Sequence, residues 1–468
     1  MASRGISTNT RDFEREFSID ELFFSTTDLH GVILHGNEVF TRISGFKESE
    51  LIGAPHSVVR HPDMPRAIFG LLWGTIQDGK TIAAYVKNLA KDGCYYWVLA
   101  LAMPCNTGYL SIRLKPTSPL LHTVKSLYGE MLRLERSIEV EPKFRKAGIA
   151  ASTELLLKRL KELGFRSYEE FMMQALSAEL TARHEGVDST GITTSGHSQA
   201  LHQSTGLYKQ CRSLDSQLQT AYERIGEFRS TSVTLMQKSS TILSMAESIR
   251  VLSMHATISA GKLGNDGATL QVVSDSLRTV SDDSQDVTRR LLTRMDSVVE
   301  ILDRLIFNLA ATKLQSEISL QFVGEVLASN QALANSRMEQ SLRTLFEEMK
   351  SRVDQVFSHL AEAEREMADL RSQVTLLDRN NRVLRFVQFA GEKESISCTE
   401  AQASRDIFLK IREQIAKTRA ECEYLSTSLQ KISTEVHDLL TLRASIVPHL
   451  EEIEAFDVQQ LTTSAVCV

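Results

Sequence analysis

The chain has little of what would place it in a membrane, in a secreted disulfide framework or on nucleic acid. Its best apolar run, residues 97–105, falls short of the roughly 18 residues that a membrane-spanning helix needs. The N-terminal residues lack the apolar core of a signal peptide. Six cysteines form no metal-type CxxC pair, and a net charge of −6 offers no basic excess for nucleic acid. We therefore expect a cytoplasmic protein without a membrane span and without a nucleic-acid partner.

Proline is scarce and unevenly placed. Of eight prolines, every one but Pro448 precedes residue 143. Because proline removes a helix hydrogen-bond donor and clashes with the preceding turn, the long proline-free stretch predicts long helices. Both tryptophans, Trp73 and Trp97, also lie early. A chain of 468 residues is thus expected to divide into a compact front and a helical rear.

The front, residues 12–118, carries the pattern of a small α+β domain. Period-two apolar runs alternate with turn signals such as Asp92-Gly93 and Thr107-Gly108. The pattern predicts a five-stranded antiparallel sheet with short helices at 37–44 and 65–77. Nothing in it supplies a Gly-rich phosphate loop, a nucleophile elbow or zinc-ligand spacing, so we do not expect an enzyme.

Several short runs in this front are specific enough to compare with known families: Ser25-Thr26-Thr27-Asp28, Ser44-Gly45-Phe46, Pro55-His56, Val59-Arg60-His61-Pro62-Asp63-Met64-Pro65, Trp73, Val86-Lys87-Asn88, Tyr96-Trp97-Val98 and Ser111-Ile112-Arg113. With these runs the front resembles a PAS domain, and more narrowly the sensing domain of bacterial aerotaxis receptors. The resemblance implies that the domain binds FAD non-covalently and that the reduction state of the flavin is the signal. By position, the expected cofactor-binding residues are Asn37, Phe40, Arg60, His61, Asp63, Trp73, Asn88 and Trp97.

The chemistry of these residue types suits a flavin, which needs flat apolar walls, amide contacts at its ring edge and cations for its phosphates. We expect Trp73 and Phe40 to form walls, Asn88 to bind the ring edge and Arg60 to pair with a phosphate.

Two alternatives to these assignments remain open, one for residues 59–65 and one for the identity of the cofactor. His61 and Asp63 are expected to form a polar pair that responds to charge on the ring, but residues 62–65 are also a plain helix-start signal. Haem is a rival cofactor, with His56 or His61 as its axial ligand.

Two segments are expected to connect the front to the rear. Residues 119–183 predict connecting helices, including a helix that leaves the sheet and carries its signal, and two short helices at 153–163 and 168–180. Residues 184–206 are rich in Gly, Ser and Thr and predict a flexible linker.

The centre of the rear is a heptad pattern interrupted by Gly264-Asn265-Asp266-Gly267. Apolar and small residues recur at steps of four and three on both sides of these four residues. Two glycines three apart, with Asn and Asp between them, let a backbone reverse cheaply. The pattern predicts an antiparallel helical hairpin over 207–330 with its tip near 264–267.

Residues 249–284 align without a gap to a known signalling segment through Leu252, Ala256, Ile258, Ala260, Gly264, Gly267, Val272, Val273, Asp275, Arg278 and Ser284. The stretch resembles the cytoplasmic hairpin of methyl-accepting chemotaxis proteins. Its expected partner-binding residues are His255, Ser259, Lys262, Gly264 and Gly267. The first three stand where the family has Asn, Glu and Arg, so coupling to a chemotaxis kinase, an adaptor protein or other receptors is an open expectation. The alternative is a heptad hairpin without a signalling partner.

A second heptad pattern covers residues 336–456 and predicts another antiparallel hairpin, broken at 391–395. Because long apolar seams demand a partner, we expect a homodimer. No paired Glu/Gln methylation site is evident in the sequence.

Two functions fit these observations. The first is a redox- or oxygen-sensing transducer whose PAS domain binds FAD and controls a chemoreceptor-like helical output. The second is a scaffolding coiled-coil protein whose PAS domain binds no cofactor.

Overall fold

The computed structural model describes residues 10–190, 206–328, 336–397 and 402–454. The chain forms two compact units. The first contains the described residues of Met1–Tyr222, Ile306–Val356 and Ala444–Val468, and the second is Glu223–Leu305 with the described residues of Phe357–Arg443.

The core of the first unit is one antiparallel sheet. Its strands are β1 (Phe23–Thr27), β2 (Ile33–Gly36), β3 (Ile82–Leu89), β4 (Tyr95–Cys105) and β5 (Gly108–Leu114), in the order β2-β1-β5-β4-β3. The predicted five-stranded sheet is confirmed. Most positions of β3 and β4 are buried on both faces of the sheet, so both faces are covered.

Short helices between β2 and β3 cover one face of the sheet. They are α1 (Glu38–Ser44), α2 (Glu48–Leu51), a 3₁₀ turn (His56–Val59) and α3 (Arg66–Gln77). Asn37 begins α1, because its Oδ1 accepts a hydrogen bond from the Phe40 amide at 3.4 Å.

Three helices follow the sheet: α4 (Leu120–Ile138), α5 (Arg145–Glu162) and α6 (Tyr168–Thr190). The hydroxyls of Tyr128 in α4 and Tyr168 in α6 donate to the β3 carbonyls of Tyr85 and Ala83, both at 3.2 Å. The side chains of Tyr85 and Trp97, which alternate with those that face α3, contact Glu179 of α6 and Tyr128 of α4, so these two helices pack on the other face of the sheet from α3.

Two boundaries in this segment differ from the sequence prediction. The helix α5 begins at Arg145 rather than near 153, and α6 runs to Thr190 rather than ending near 180. The residues of α6 inside the predicted linker are mostly poor helix formers, so tertiary contacts such as the hydrogen bonds from Arg183 to the Ile19 and Asp20 carbonyls outweigh local propensity there. The rest of that linker, 191–205, lies outside the described residues.

The rear consists of α7 (Gly206–Gly261), α8 (Ala268–Ala328), α9 (Ser336–Ser397), α10 (Gln402–Thr441) and α11 (Arg443–Glu454). The predicted class, a PAS-type sheet followed by long antiparallel helices, is confirmed. A 3₁₀ turn at Gly264–Gly267 joins α7 to α8.

Within the second unit, α7 to α10 form a four-helix bundle in which each helix contacts two others. Ser281 of α8 donates to the Ala246 carbonyl of α7 at 2.6 Å, and Arg294 of α8 pairs with Glu366 of α9 at 3.1 Å. The bundle closes through Gln388 of α9, bonded to the Phe408 carbonyl of α10, and through Lys238 of α7, paired with Glu421 of α10 at 2.8 Å. One core cluster combines residues from all four helices: Ile249, Ala256, Ala260, Leu270, Leu277, Leu384, Phe408, Ile411 and Ile415.

The expected break at 391–395 is wrong, because α9 continues through Gly391 to Ser397. A Cβ at Gly391 would lie 2.3 Å from Cε1 of Phe408. This glycine therefore allows close packing between helices and does not end one.

The bundle buries the apolar seam from which a homodimer was expected. The seam of the first hairpin, which suggested a second copy of the chain, is covered within this unit by the chain's own α9 and α10. A second copy is not needed to bury it.

Candidate functional site

A cavity of about 360 Å³ lies between the sheet, the turn that joins β1 to β2, the 3₁₀ turn and α3. On β3, β4 and β5 the residues that line it are two apart, because successive side chains of a strand point to opposite faces of the sheet. The lining residues are Thr27, His30, Gly31, Pro55, His56, Ser57, Val59, Arg60, Phe69, Leu72, Trp73, Ile76, Val86, Asn88, Ala100, Ala102, Tyr109, Ser111 and Arg113.

The walls of the cavity are largely apolar and partly aromatic. Trp73 of α3 meets Tyr109 of β5 edge to face, with ring centroids 5.6 Å apart. On the sheet side, Ala100 and Ala102 of β4 leave room above the strand. Large flat walls beside small residues make a slot suited to a planar ring system.

The polar part of the lining is cationic. Arg60 and Arg113 are in it, whereas no aspartate or glutamate is among the lining residues. The guanidinium of Arg60 lies 3.9 Å from the ring centre of Phe69, and its backbone pairs with Asn88 of β3. Burial and the neighbouring Arg66 lower the pKa of Arg60 from its ordinary value. An anionic ligand fits such a cavity better than a cationic one.

Arg113 is the more deeply placed of the two arginines, with 2% of its surface exposed. Its Nη2 donates to Ser25 Oγ at 2.9 Å and contacts Nε2 of His56. Burial, and then the charge of Arg113, lower the pKa of His56 to about 3. His56 is therefore neutral at physiological pH and can accept a hydrogen bond from the guanidinium.

The structure brings part of the predicted cofactor set together. Arg60, Trp73 and Asn88 line the cavity, whereas Asn37, Phe40, His61, Asp63 and Trp97 are not among its lining residues.

Asn37 and Phe40 lie outside the cavity lining and support the elements that form it. Besides capping α1, the Asn37 side chain bonds the Phe24 amide and the Leu22 carbonyl. The Phe40 ring is stacked on His56 at 6.3 Å, so it supports a lining residue without lining the cavity itself.

His61 and Asp63 form a local pair outside the cavity. The Asp63 amide donates to His61 Nδ1 at 3.0 Å, and the Asp63 carboxylate lies 3.0 Å from Arg136 of α4. His61 is almost fully buried, and burial lowers its pKa to about 4.

Trp97 belongs to the opposite face of the sheet. Its ring lies 6.2 Å from Tyr128 of α4, and the Lys125 ammonium lies 5.5 Å from it. Along β4, Trp97 is an odd number of residues from Ala100 and an odd number from the residues in phase with it, whose side chains line the cavity, so its own side chain points to the opposite face of the sheet.

The sequence prediction missed Tyr109 and Arg113. Both are odd-numbered positions of β5, together with Ser111, and this alternation was the signal that could have found them. It could not be used alone because the sequence does not say which face of the sheet holds the cavity.

Haem fits the lining poorly. The only histidines in the cavity lining are His30 and His56, and Nε2 of His56 is engaged by Arg113. His61, the other expected axial ligand, is not among the lining residues. Among the described residues no group of His, Cys, Asp or Glu is arranged to hold a metal ion.

The hairpin tip presents the predicted partner-binding residues in different environments. His255, Lys262 and Gly264 are exposed, and Ser259 is half-buried with its Oγ 2.9 Å from that of Ser404. Gly267 is buried, and a Cβ there would lie 2.0 Å from the Ala260 carbonyl oxygen.

The strand order of the sheet and the cavity between the sheet, the 3₁₀ turn and α3 are those of a PAS domain. The family model described as "PAS fold" matches residues 33–108. The aerotaxis receptor of Escherichia coli (strain K12) is 43% identical to this chain over 114 residues. The resemblance inferred from the sequence is therefore confirmed for this region.

The match covers 23% of this chain and 22% of the receptor, so the chain spans less than a quarter of that relative's length. A solved structure, the Erythrobacter litoralis EL346 blue-light activated histidine kinase, is 13% identical over 36% of this chain and 57% of its own. The TM-score of this comparison is 0.20.

No helix among the described residues is long and apolar enough to cross a membrane.

Proposed function

We propose that the chain is a cytoplasmic, non-enzymatic sensory transducer whose PAS domain binds FAD and reports redox state or oxygen. The observation that carries this proposal is the cavity, in which aromatic walls are combined with two arginines and with no acidic lining residue. The similarity to an aerotaxis receptor over this region supports it.

The cavity fits the ring of a flavin. Its volume of about 360 Å³ lies at the lower end of the roughly 300–1,000 Å³ of ligand pockets, so it suits a ring system whose phosphates and adenine lie outside. Trp73 would flank the ring, Asn88 would bind its amide edge and Arg60 would pair with the phosphates. When bound, the flavin supplies an acceptor of electrons whose charge changes on reduction.

Contacts within the first unit support coupling between the sheet and the long helices. Phe322 of α8 packs edge to face on Phe24 of β1 with ring centroids 5.0 Å apart. Arg352 of α9 donates to Thr81 Oγ1, beside β3, at 3.0 Å. Both α8 and α9 contribute residues to each of the two units. A shift of the sheet would therefore be transmitted to the bundle through these two helices.

For the output, we propose that the exposed residues of the hairpin tip bind a chemotaxis kinase, an adaptor protein or other receptors. His255 and Lys262 are exposed there, next to the exposed apolar side chains of Met254 and Ile258. The proposed homodimer would form through surfaces other than the seam that α9 and α10 cover.

The proposal is tested by the absorbance spectrum of the purified full-length protein, before and after reduction with dithionite. We expect the absorbance bands of oxidised flavin, bleaching on reduction, and FAD released by heat denaturation. A protein that is colourless and takes up no added FAD would contradict the proposal and favour the scaffolding function.

The two tryptophans provide a matched pair for the same measurement. Trp73→Ala should weaken FAD binding at least tenfold because it removes a wall of the cavity. Trp97→Phe should retain flavin, since Trp97 packs on the other face of the sheet.

A further inference from the structure

The guanidinium of Arg113 has an incomplete set of partners. Ser25 and His56 engage Nη2, while Nη1 is buried and has no hydrogen-bond partner among the described residues. Buried polar groups are nearly always hydrogen-bonded, so an orphaned donor in a cavity wall indicates a ligand acceptor.

Arg113 also lacks a counter-charge. In the part of the chain that the structure describes, no carboxylate forms an ion pair with it, and its guanidinium carbon lies 5.2 Å from the ring centre of Phe40 and 5.7 Å from that of Phe23. Burial lowers its pKa to about 10, which leaves it protonated at neutral pH. A buried charge without a counter-ion destabilises a fold, so the stability of the fold gives no reason for an arginine at this position.

We infer that Arg113 binds the edge of the flavin ring that gains negative charge on reduction, and that it thereby raises the reduction potential of the bound cofactor. This inference rests on the proposed binding of FAD. The neutral oxidised ring takes two electrons from an external reductant and one proton from solvent, and the product carries one negative charge. Arg113 stabilises that product more than the neutral ring, because an opposite charge in a buried site favours the charged form.

The two arginines of the cavity then have separable roles. Arg60 is partly exposed and stacked on Phe69, a position suited to a phosphate that is charged in both redox states. Arg113 is enclosed and faces the ring slot. Arg60 therefore contributes equally to binding of the oxidised and reduced cofactor, and Arg113 contributes mainly to binding of the reduced form.

The reduction potential of FAD in the full-length protein tests this division. It is measured by equilibration with a reference dye in wild type, Arg113→Gln, Arg113→Lys and Arg60→Gln. We expect Arg113→Gln to shift the equilibrium at least tenfold toward oxidised flavin, about 30 mV for a two-electron couple. Arg113→Lys should retain most of the wild-type potential, and Arg60→Gln should weaken FAD binding while moving the potential by less than this amount.

Separate affinities for oxidised and dithionite-reduced FAD complete the test if Arg113→Gln binds flavin too weakly for a potential to be measured. The loss of affinity should then be at least tenfold larger for the reduced form. Equal losses, or an unchanged potential, in a protein whose wild type binds flavin would overturn the role of Arg113 and leave the proposed function standing. A wild type that binds no FAD would overturn the proposed function itself.

The stability of the flavin-free protein separates this role from a structural one. Arg113→Met should leave its thermal unfolding temperature equal to or above that of wild type, because it removes an uncompensated charge. A clear decrease would show that Arg113 holds the fold through Ser25 and His56.

Discussion

The hydroxyl of Tyr85 in β3 donates a 2.7 Å hydrogen bond to Glu179 of α6, and both residues are fully buried. Glu179 also accepts from Ser118 Oγ and from the amides of Thr117 and Ser118, at 2.6–2.8 Å. The carboxylate thus joins the sheet, the start of α4 and α6 within the first unit.

This network gives the first prediction. Glu179→Ala should lower the free energy of unfolding of the sheet domain by about 3 kcal/mol or more, since it leaves three buried donors and one partly buried donor without an acceptor. Fluorescence of the two tryptophans during urea unfolding reports this domain, because both lie in it. Glu169→Ala, at an exposed position of the same helix, is the control and should change little.

The tip glycines should respond differently to alanine. Gly267→Ala should destabilise the tip by about 2 kcal/mol because its Cβ would collide with the Ala260 carbonyl. Gly264→Ala should cost about 1 kcal/mol because the backbone there has φ of +59°. A Cβ at Gly261 would have no neighbouring atom within 4 Å, so Gly261→Ala should be neutral or stabilising. Hydrogen-exchange protection of amides 250–280 measures all three effects, and equal effects would contradict a turn at Gly264–Gly267.

Phe408 should be the most sensitive aromatic residue of the bundle. It is fully buried in the core cluster of the second unit, so Phe408→Ala should cost about 3–5 kcal/mol. Phe386 is 75% exposed, and Phe386→Ala should change stability by less than about 0.5 kcal/mol. Urea unfolding followed by far-ultraviolet circular dichroism compares them. Similar losses would mean that α9 and α10 do not cover the seam of the first hairpin.

His61 should make the sheet domain less stable in acid. Its pKa is lowered to about 4, below the ordinary value of 6.5, by burial and by Lys87. Between these values the unfolded chain binds more protons, so the free energy of unfolding falls as pH drops from 6.5 to 4. His61→Gln keeps an acceptor for the Asp63 amide and should flatten this fall, whereas His122→Gln, at an exposed site, should not. Tryptophan-monitored unfolding at several pH values distinguishes them.

Glu325 should have the opposite effect on pH dependence. It accepts from Asn37 Nδ2 at 3.2 Å, and burial raises its pKa to about 7 from an ordinary 4.5. Between these values the folded state binds more protons, so stability is lost as pH rises toward 7. Glu325→Gln should be more stable than wild type at about pH 8 by about 1–3 kcal/mol, and Glu48→Gln should match wild type. If Glu325→Gln kept the wild-type pH profile, this carboxyl would be excluded as the cause.

Several elements could be predicted from the sequence because their signals are local. The glycines at the tip mark the reversal between α7 and α8, and the alternation in 108–114 marks β5. Gly391 shows the limit of such signals. A glycine that ends a helix and a glycine that admits a neighbouring ring look the same in sequence, and only the position of Phe408 distinguishes them.

The candidate site was predicted in part for a similar reason. Arg60, Trp73 and Asn88 were found through the resemblance to a family, and the structure places them in one cavity. Trp97 was assigned to the same site but packs on α4, because both faces of β4 are buried and the alternation of side chains does not say which face holds a ligand.

By itself the sequence determined the two kinds of architecture in this chain, since strand alternation, heptad spacing and the distribution of proline act over a few residues. The tertiary structure alone decided which distant residues meet. It placed Arg113 beside His56 and Ser25 without a counter-charge, and it laid α9 and α10 over the seam of the first hairpin. These outcomes depend on packing between segments far apart in the chain, and no local pattern encodes which face of a strand or helix receives a given partner.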